Sequence, residues 1–315
     1  MTKNIVVVPY NPEWPTIFKA EAAKIKAALG DNCLAIHHVG STAVPGLLAK
    51  PKIDIIAGVN NLASTIEPLT DIGLRNRGEF NIPLHESFDK RGDIELNLHI
   101  YEEGHPEIEL NLCFRDYLRN HPEVRDEYAN LKVSLLKDSA SFEKKGPMFS
   151  GYNLGKNAFI RKVLKDAHFN RIRMVHCAHY VEWDAAKNLR NKYFFDPLNI
   201  ADPYTWTFDH EEHAHLILYQ GVEVIGYAHI QFWPEQRAAL RIIVVDEAYR
   251  SLGCGSQFLV LCERWLKKIG IRSLHDEARP DAVKFYRKNG YVEMPFEDPA
   301  GEPPSIQDVA LGKIL

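Results

Sequence analysis

The sequence predicts a protein of the α/β class, of the α+β type, built from two domains. The chain has 315 residues, which is long for a single hydrophobic core. Both halves contain short apolar runs typical of strands and apolar residues at helical spacing. A polar break at Phe169–Arg171 separates these halves. We therefore place the domains at residues 1–168 and 171–315.

Composition excludes several classes of protein. Apolar residues make up 45% and charged residues 25% of the chain, with a formal net charge of −4, so bulk electrostatics give no reason to expect nucleic acid or a membrane as partner. We find no apolar run that could span a bilayer and no signal peptide. The five scattered cysteines lack a Cys-x-x-Cys pair, which predicts reduced thiols and a cytoplasmic location.

The first half opens with a predicted helix and strand. A helix is predicted to run from Tyr10 to Leu29, with Gly30 ending it, and a strand over Leu34–Val39 follows. A glycine–serine turn at Gly40-Ser41 comes directly after this strand. The half is predicted to close with a helix over 153–167.

The run that starts at the end of this strand carries a specific motif. It contains His-x-Gly-Ser-Thr-Ala-Val-Pro-Gly-Leu from His38, then Lys50-Pro51, then Ile53-Asp54. This motif resembles the GrpB-like family, as do the later segments 97–99 and 114–119. The resemblance covers about residues 5–168. It implies a nucleotidyltransferase-like mixed sheet with helices, in a family whose activity is poorly defined.

The motif residues predict a pocket for an anion. Backbone donors and a hydroxyl at a Gly-Ser turn suit a phosphate, and a carboxylate such as Asp54 suits Mg²⁺. Two-metal nucleotidyl transfer needs a second carboxylate two residues further on, where this chain has Ile56. Glu95, on a later strand, could supply only a distant third carboxylate. We therefore expect a phosphorylated or carboxylated small molecule, with a nucleotide and Mg²⁺ left open. The predicted pocket residues are His38, Gly40, Ser41, Thr42, Lys50, Asp54 and His99.

Two of these assignments have simpler alternatives. Lys50 either neutralises the anion or is a solvated loop lysine. His38 and His99 either face one pocket from neighbouring strands or are packed neutral histidines, since imidazole serves both roles.

The second half predicts a hairpin, a strand and a glycine-containing turn before a helix. The hairpin comprises apolar runs at 216–219 and 222–232 around a turn at Gln220-Gly221. The next strand, 240–245, is followed by Arg250-Ser251-Leu252-Gly253-Cys254-Gly255 and by a helical pattern from Ser256. Glycines in such a turn, with the N-terminal dipole of a helix, can present backbone N–H groups to a pyrophosphate.

This turn resembles the acetyl-CoA loop of the GNAT N-acetyltransferases. The segment 282–291, with Phe285-Tyr286 and Gly290-Tyr291, resembles a later segment of that family, and 303–311 resembles its closing strand. The resemblance covers about residues 171–315 and implies a GNAT acyl-CoA N-acyltransferase fold with a central, mostly antiparallel sheet. It also implies a splayed strand whose backbone bonds acetyl-CoA. The implied cofactor-binding residues are Val244, Val245, Arg250, Ser251, Leu252, Gly253, Cys254, Gly255 and Ser256.

Tyr286 is the candidate general acid, because a phenol is protonated at neutral pH and can protonate a leaving thiolate. The alternative is a core aromatic residue. The general base stays open among Glu277, Glu211, Glu212, His229 and a water chain. The spacing of His210, His213 and His215 favours a surface cluster over a metal site.

The sequence thus predicts an N-acetyltransferase that uses acetyl-CoA and a small-molecule amine, by direct transfer with both substrates bound. Two alternatives are a bifunctional enzyme, whose first half transfers phosphoryl or nucleotidyl groups, and a non-catalytic module that senses CoA or a nucleotide.

Overall fold

The computed structural model of the chain describes residues 5–92, 95–145, 149–299 and 307–315. The chain divides into two compact units, Met1–Arg173 with Gln220–Val222, and Met174–Tyr219 with Glu223–Leu315. Both combine helices with a β-sheet, so the predicted α/β class is confirmed.

The first unit is a five-stranded mixed sheet in the order β1-β2-β5-β4-β3. Strands β2 and β5 are parallel, whereas β1–β2, β4–β5 and β3–β4 are antiparallel. The strands are β1 Cys33–Val39, β2 Lys52–Val59, β3 Arg75–Gly78, β4 His85–Lys90 and β5 Glu95–Glu102, with the short pair β6 Lys144–Lys145 and β7 Phe149–Ser150. The helices are α1 Trp14–Leu29, α2 Ile66–Asp71, α3 Pro106–Asn120, α4 Pro122–Lys137, α5 Gly151–Leu154 and α6 Asn157–Asp166.

The first helix has the predicted end and buried face, although it begins at Trp14 and not at Tyr10. Pro15 lies in its first turn, where the missing N–H costs nothing. Trp14, Ile25 and Leu29 are buried against the sheet, and Gly30 ends the helix with a φ of +54°. The predicted closing helix is divided instead into α5 and α6, with Gly155 between them.

The second unit is built on a seven-stranded sheet in the order β13-β14-β12-β11-β10-β9-β8. Only β11 and β12 pair in parallel among the strand pairs whose register the described residues define. The strands are β8 Ile172–His176, β9 His213–Gln220, β10 Glu223–Trp233, β11 Arg237–Val245, β12 Ser273–Ala278, β13 Val292–Glu293 and β14 Val309–Ile314. The helices are α7 Tyr180–Arg190, α8 Cys254–Lys268 and α9 Val283–Lys288.

Helix α8 packs its apolar face into the second unit. Phe258, Leu259, Cys262 and Leu266 are fully buried at helical spacing. The predicted hairpin is the pair β9 and β10. The closing strand is seen as β14, whereas residues 303–306 of its predicted span lie outside the described residues. All five cysteines are free thiols. In the parts of the chain that the structure describes, no helix is both long and apolar enough to cross a membrane.

Candidate functional site

Strands β11 and β12 separate part of the way along the sheet. Their parallel pairing is limited to Arg237 with Ser273, Ala238 with Leu274 and Ala239 with His275. Beyond Ala239 the other edge of β11 still pairs with β10, with an extra residue, Arg241, between the paired positions. The backbone of Leu240–Val245 is thus available on the β12 side.

The loop after β11 contains two residues with a positive φ and leads into α8 two residues earlier than the sequence indicated. Ser251 and Gly253 have φ values of +65° and +84°, and α8 begins at Cys254. Leu252 is 70% exposed, and a Cβ on Gly253 would meet no atom within 4 Å. The loop at Leu252 and Gly253 therefore borders open space, directly before the first turn of α8.

Arg250 fixes this loop to the preceding strand. Its Nε donates to the carbonyl oxygen of Val245 at 3.0 Å, and its guanidinium lies 4.7 Å from the ring centroid of Tyr193. Cys254 is only 3% exposed, so its side chain packs inside the unit and offers no accessible nucleophile.

A cavity of about 670 Å³ opens beside the separated strands. Residues of β11 and β12 form one wall, and α9 contributes Tyr286. The lining includes apolar side chains that are more than half exposed, such as Leu198 and Trp206. The cavity is therefore lined by both exposed apolar and buried polar side chains.

Tyr286 and Asp276 form a buried hydrogen-bonded pair in this cavity. The Tyr286 hydroxyl donates to Oδ1 of Asp276 at 3.1 Å, and the side chains are 5% and 7% exposed. Burial, more than the charge of Asp276, holds the pKa of Tyr286 well above its usual range. Burial also raises the pKa of Asp276 to about 7. Sequence analysis missed Asp276, although a run of polar residues at the end of a parallel strand is a recognisable signal.

A fully buried arginine organises the polar side of the cavity. Arg190, the last residue of α7, pairs through two nitrogens with the carboxylate of Asp202. It also donates to the Tyr227 hydroxyl at 3.0 Å and to Nδ1 of His229 at 3.5 Å. Each of these groups therefore acts as an acceptor toward Arg190.

These hydrogen bonds determine which ring nitrogen of each neighbouring histidine carries the proton. Because His229 accepts at Nδ1, its Nε2–H donates to Nδ1 of His213 at 2.8 Å, which leaves a proton on Nε2 of His213. Tyr227 donates to Nδ1 of His215 at 2.6 Å, and His215 donates to the Thr207 carbonyl. Burial is the main cause that lowers the pKa of His213 and His215 to about 4 and the pKa of His229 further still.

The predicted surface cluster of histidines is therefore wrong for two of its members. His213 and His215 lie within β9, and His215 is 4% exposed. Of the base candidates, His229 is occupied at both nitrogens, and Glu211 and Glu212 are exposed outside the cavity. Glu277 lines the cavity and is half-buried.

In the first unit, Asp54 is held tightly beside the glycine–serine turn. Its Oδ1 accepts from the Asn97 amide at 2.8 Å. A Cβ on Gly40, whose φ is +69°, would lie 2.5 Å from Oδ2 of Asp54. Lys52 and Ile56 share this face of β2 by strand alternation. Burial raises the pKa of Asp54 and lowers that of the neighbouring His99.

Ser41 contacts a lysine that the sequence analysis did not identify, and two further lysines lie near it, of which only Lys50 was predicted. Lys132 of α4 is 3% exposed and donates to Ser41 Oγ at 2.7 Å and to the Leu48 carbonyl at 2.6 Å. Lys50 and Lys156 each lie 4.7 Å from the ring centroid of Tyr152. Burial, followed by repulsion between these lysines, lowers the pKa of Lys132 to about 7 and of Lys156 to about 8. The apolar stripe of α4 that Lys132 interrupts was the available signal.

The shared pocket predicted for His38 and His99 is wrong. β2 lies between their strands, so they are not neighbours. His38 pairs with Ile55, on the core face opposite to Asp54, where it stacks on Phe18. Its Nε2 bonds Thr42, and burial lowers its pKa to about 4.

Thr42 is also a structural residue. It is 1% exposed, and its hydroxyl donates to the Lys52 carbonyl. It is therefore not available to a ligand, which corrects its place in the predicted pocket. Within the described ranges, no group of three or more His, Cys, Asp or Glu residues could hold a metal ion.

Comparison with known proteins divides the chain in the same order as the two resemblances. A family model described as GrpB protein matches residues 4–166. A second, described as the Acetyltransferase (GNAT) family, matches residues 183–291. The second unit is thus a GNAT-family domain, and both resemblances seen in the sequence are confirmed.

Relatives of the first unit are numerous. UPF0157 protein BH1888 of Halalkalibacterium halodurans is 33% identical over 168 residues, or 52% of this chain and 83% of that protein. UPF0157 protein YqkA of Bacillus subtilis is 37% identical over 137 residues, which is 42% of this chain but only 40% of YqkA. The crystal structure of GrpB from Enterococcus faecalis is 34% identical, with 51% of this chain and 96% of that chain covered, at a TM-score of 0.45. This chain belongs to the GrpB family.

Proposed function

We propose that the second unit transfers an acetyl group from acetyl-CoA to the nitrogen of a small-molecule amine. The observation that carries this proposal is the separation of β11 from β12 beyond Ala239, directly before the Arg250–Gly255 loop. Acetyl-CoA supplies an activated acyl carbon when bound. The exposed loop and the open space at Gly253 fit a pyrophosphate, with the backbone of Val244 and Val245 available to the rest of the cofactor.

The residues of the loop have distinct roles in this proposal. Backbone N–H groups from Ser251 to Ser256 bind the pyrophosphate, helped by the N-terminal dipole of α8. Arg250 keeps the loop against β11 through the Val245 carbonyl. Cys254 packs beneath the loop and anchors it.

In this proposal, residues of the cavity donate and accept the protons that acetyl transfer requires. Tyr286 keeps its hydroxyl proton at neutral pH, because its pKa is raised, and can give it to a leaving sulfur. His213 and His229 are uncharged, and their remaining acceptor nitrogens are hydrogen-bonded, so they do not act as bases. The Nε2–H of His213, which has no partner among the described residues, is left as a hydrogen-bond donor. Glu277 or a water molecule takes the proton from the amine.

The first test is cofactor binding by a pair of glycine variants in the full chain. Gly253→Val places a side chain in the proposed pyrophosphate site, whereas Gly270→Val has the same backbone strain at a φ of +89° with equally open surroundings. Calorimetry should show the Kd for acetyl-CoA raised at least about tenfold in Gly253→Val only, equivalent to about 1.4 kcal/mol. Equal affinities would remove the loop from the site.

The second test identifies the acceptor. The full chain is incubated with acetyl-CoA and a panel of primary amines, and acetylated products are detected by mass spectrometry. Turnover of an amine supports the enzyme. Tight CoA binding without turnover of any amine would instead favour the sensing module.

We infer that the first unit binds a phosphorylated or carboxylated small molecule. The specific observation is a cluster of three lysines, in which Lys132 bonds Ser41 and is affected by the charges of Lys156, Lys50 and Asp54. Burial and then mutual repulsion lower the lysine pKa values, and a bound anion would offset both effects. Mg²⁺ could then bind only through Asp54 and the oxygens of the ligand itself.

The test compares two lysines of α4. Bound inorganic phosphate, pyrophosphate or citrate should stabilise the wild type and Lys137→Met against unfolding. The same anions should not stabilise Lys132→Met. Pyrophosphate release from nucleoside triphosphates with Mg²⁺ should stay at background. Release that disappears in Asp54→Ala would establish the bifunctional alternative.

A further inference from the structure

Asp276 occupies a special position in β12. It is the first residue after His275, which forms the last pair between β11 and β12. Its side chain therefore lies where the two strands part, at the wall of the cavity. Oδ1 accepts from Tyr286, whereas the buried Oδ2 makes no hydrogen bond to any described residue. A carboxylate with one unsatisfied buried oxygen is costly, and a bound proton removes that cost.

The groups around Asp276 favour the protonated form of its carboxyl group. After burial, which is the largest cause, Glu277 of the same strand and Asp308 before β14 raise its pKa. The Tyr286 hydrogen bond from α9 and Arg241 from β11 act in the opposite direction. Arg241 is itself paired with Asp298. Glu277 and Asp308 thus help burial to keep the proton on the carboxyl group.

We propose that Asp276 is a positioning residue that resupplies a proton to Tyr286 during acetyl transfer. The inference rests on the proposed function. Tyr286 and Asp276 both line the cavity, and one hydrogen bond of 3.1 Å joins the two side chains. If Asp276 were ionised, loss of the Tyr286 proton would create two adjacent negative charges in a buried site, which is strongly unfavourable.

The proposed step needs no reactant other than acetyl-CoA, the amine and water. The N–C bond forms and the C–S bond breaks, and the Tyr286 hydroxyl proton moves to the sulfur. The Asp276 carboxyl proton moves to the Tyr286 oxygen through the same hydrogen bond, with donor and acceptor exchanged. The amine proton passes to Glu277 or a water molecule and then to bulk water, and Asp276 regains one proton from water after the products leave.

The first readout does not depend on activity. Infrared titration of the full chain should show a protonated carboxyl band that disappears as the pH rises through about 7, and that is absent from Asp276→Asn. The control Asp281→Asn, an exposed carboxylate before α9, keeps the band. Tyr286→Phe removes the hydrogen bond that favours ionisation, so the band persists to higher pH. A wild type without a titrating band overturns the proposal, whatever the activity.

The second readout is kinetic. Wild-type kcat should fall as the pH rises above about 7, whereas kcat of Asp276→Asn is lower by at least about tenfold at pH 6.5 and shows no such fall. The Kd for acetyl-CoA should be unchanged. Turnover with a wild-type pH profile in Asp276→Asn overturns the relay and leaves the proposed function intact. A titrating band without any turnover or cofactor binding overturns the proposed function and the relay with it.

Discussion

Both units bury ionisable groups, but the first unit leaves like charges close together, whereas the second unit pairs or neutralises its buried groups. Around Ser41 the first unit brings Lys132 close to two other lysines and a single carboxylate, Asp54. In the second unit, the buried Arg190 is paired with Asp202, and the histidines beside it are neutral. Burial opposes charge in both places. The first unit is left with repulsion that an anion would relieve, whereas the second holds protons in defined positions.

This difference suits the first unit to binding an anion and the second unit to transferring protons. A lysine whose pKa is lowered by like charges gains most from a ligand of opposite charge. A carboxyl group or phenol whose pKa is raised keeps a proton that it can pass on. Variants in each unit should therefore fail in different assays.

The largest expected effect is on turnover in the second unit. Tyr286→Phe should lower kcat by about 10²–10⁴-fold, with the Kd for acetyl-CoA unchanged, because the proton matters only as the sulfur leaves. Tyr180→Phe, at a side chain that is 61% exposed, is the control. Full kcat in Tyr286→Phe across neutral pH would show that this residue only packs.

The next effect is on stability. Arg190→Met should destabilise the second unit by about 3–5 kcal/mol, because it leaves the buried Asp202 carboxylate without its partner. Urea unfolding followed by tryptophan fluorescence is suitable, since four of the five tryptophans lie in this unit. The exposed pair of Arg287 and Glu293 provides the control Arg287→Met. Adding Asp202→Asn to Arg190→Met should recover part of the loss, and no recovery would contradict the pairing argument.

A smaller effect concerns the turn beside Asp54. Gly40→Ala should cost about 1–3 kcal/mol more than Gly73→Ala. Both glycines have positive φ, but only at Gly40 would a Cβ collide with Asp54. Thermal unfolding of the two variants measures the difference. If the double variant Gly40→Ala, Asp54→Ala is no more stable than Gly40→Ala, contact with Asp54 is not the cause.

The last expected effect is the pH dependence of the lysine cluster, which is small over any one pH unit. The native pKa of Lys132 is about 7, below the value of about 10.4 in an unfolded chain. Between these values the unfolded chain binds more protons, so stability rises with pH, by at most about 1.4 kcal/mol per pH unit. Thermal unfolding between pH 7 and 10 should show this rise in the wild type and a weaker one in Lys132→Met. A steeper rise in the variant would contradict the assignment.

Much of the fold followed from local patterns. Helix α1, the β9–β10 hairpin and the loop at Gly253 are set by apolar spacing, capping glycines and backbone φ, all of which are local in sequence. The same holds for Asp54 and the turn at Gly40, which are close in the chain.

The residues that the sequence did not predict depend on tertiary contacts. Lys132 is 91 positions from Ser41, so only the packing of α4 brings them together. Asp276 and Glu277 are adjacent carboxyl residues of β12, and only the packing of α9 shows that Asp276 is the one bonded to Tyr286. His38 was misplaced because strand order, with β2 inserted beside β1, is not a local property.

The early end of the β11–β12 pairing has a consequence for amide hydrogen exchange. Alternate N–H groups between Leu240 and Val245 point toward β12, where no strand of the described part of the chain pairs with them. They should exchange with solvent deuterium much faster than amides of the neighbouring β10, although both strands lie inside the same sheet. Protection of this one segment on adding a ligand would then report occupancy of the gap directly, before any acceptor is known.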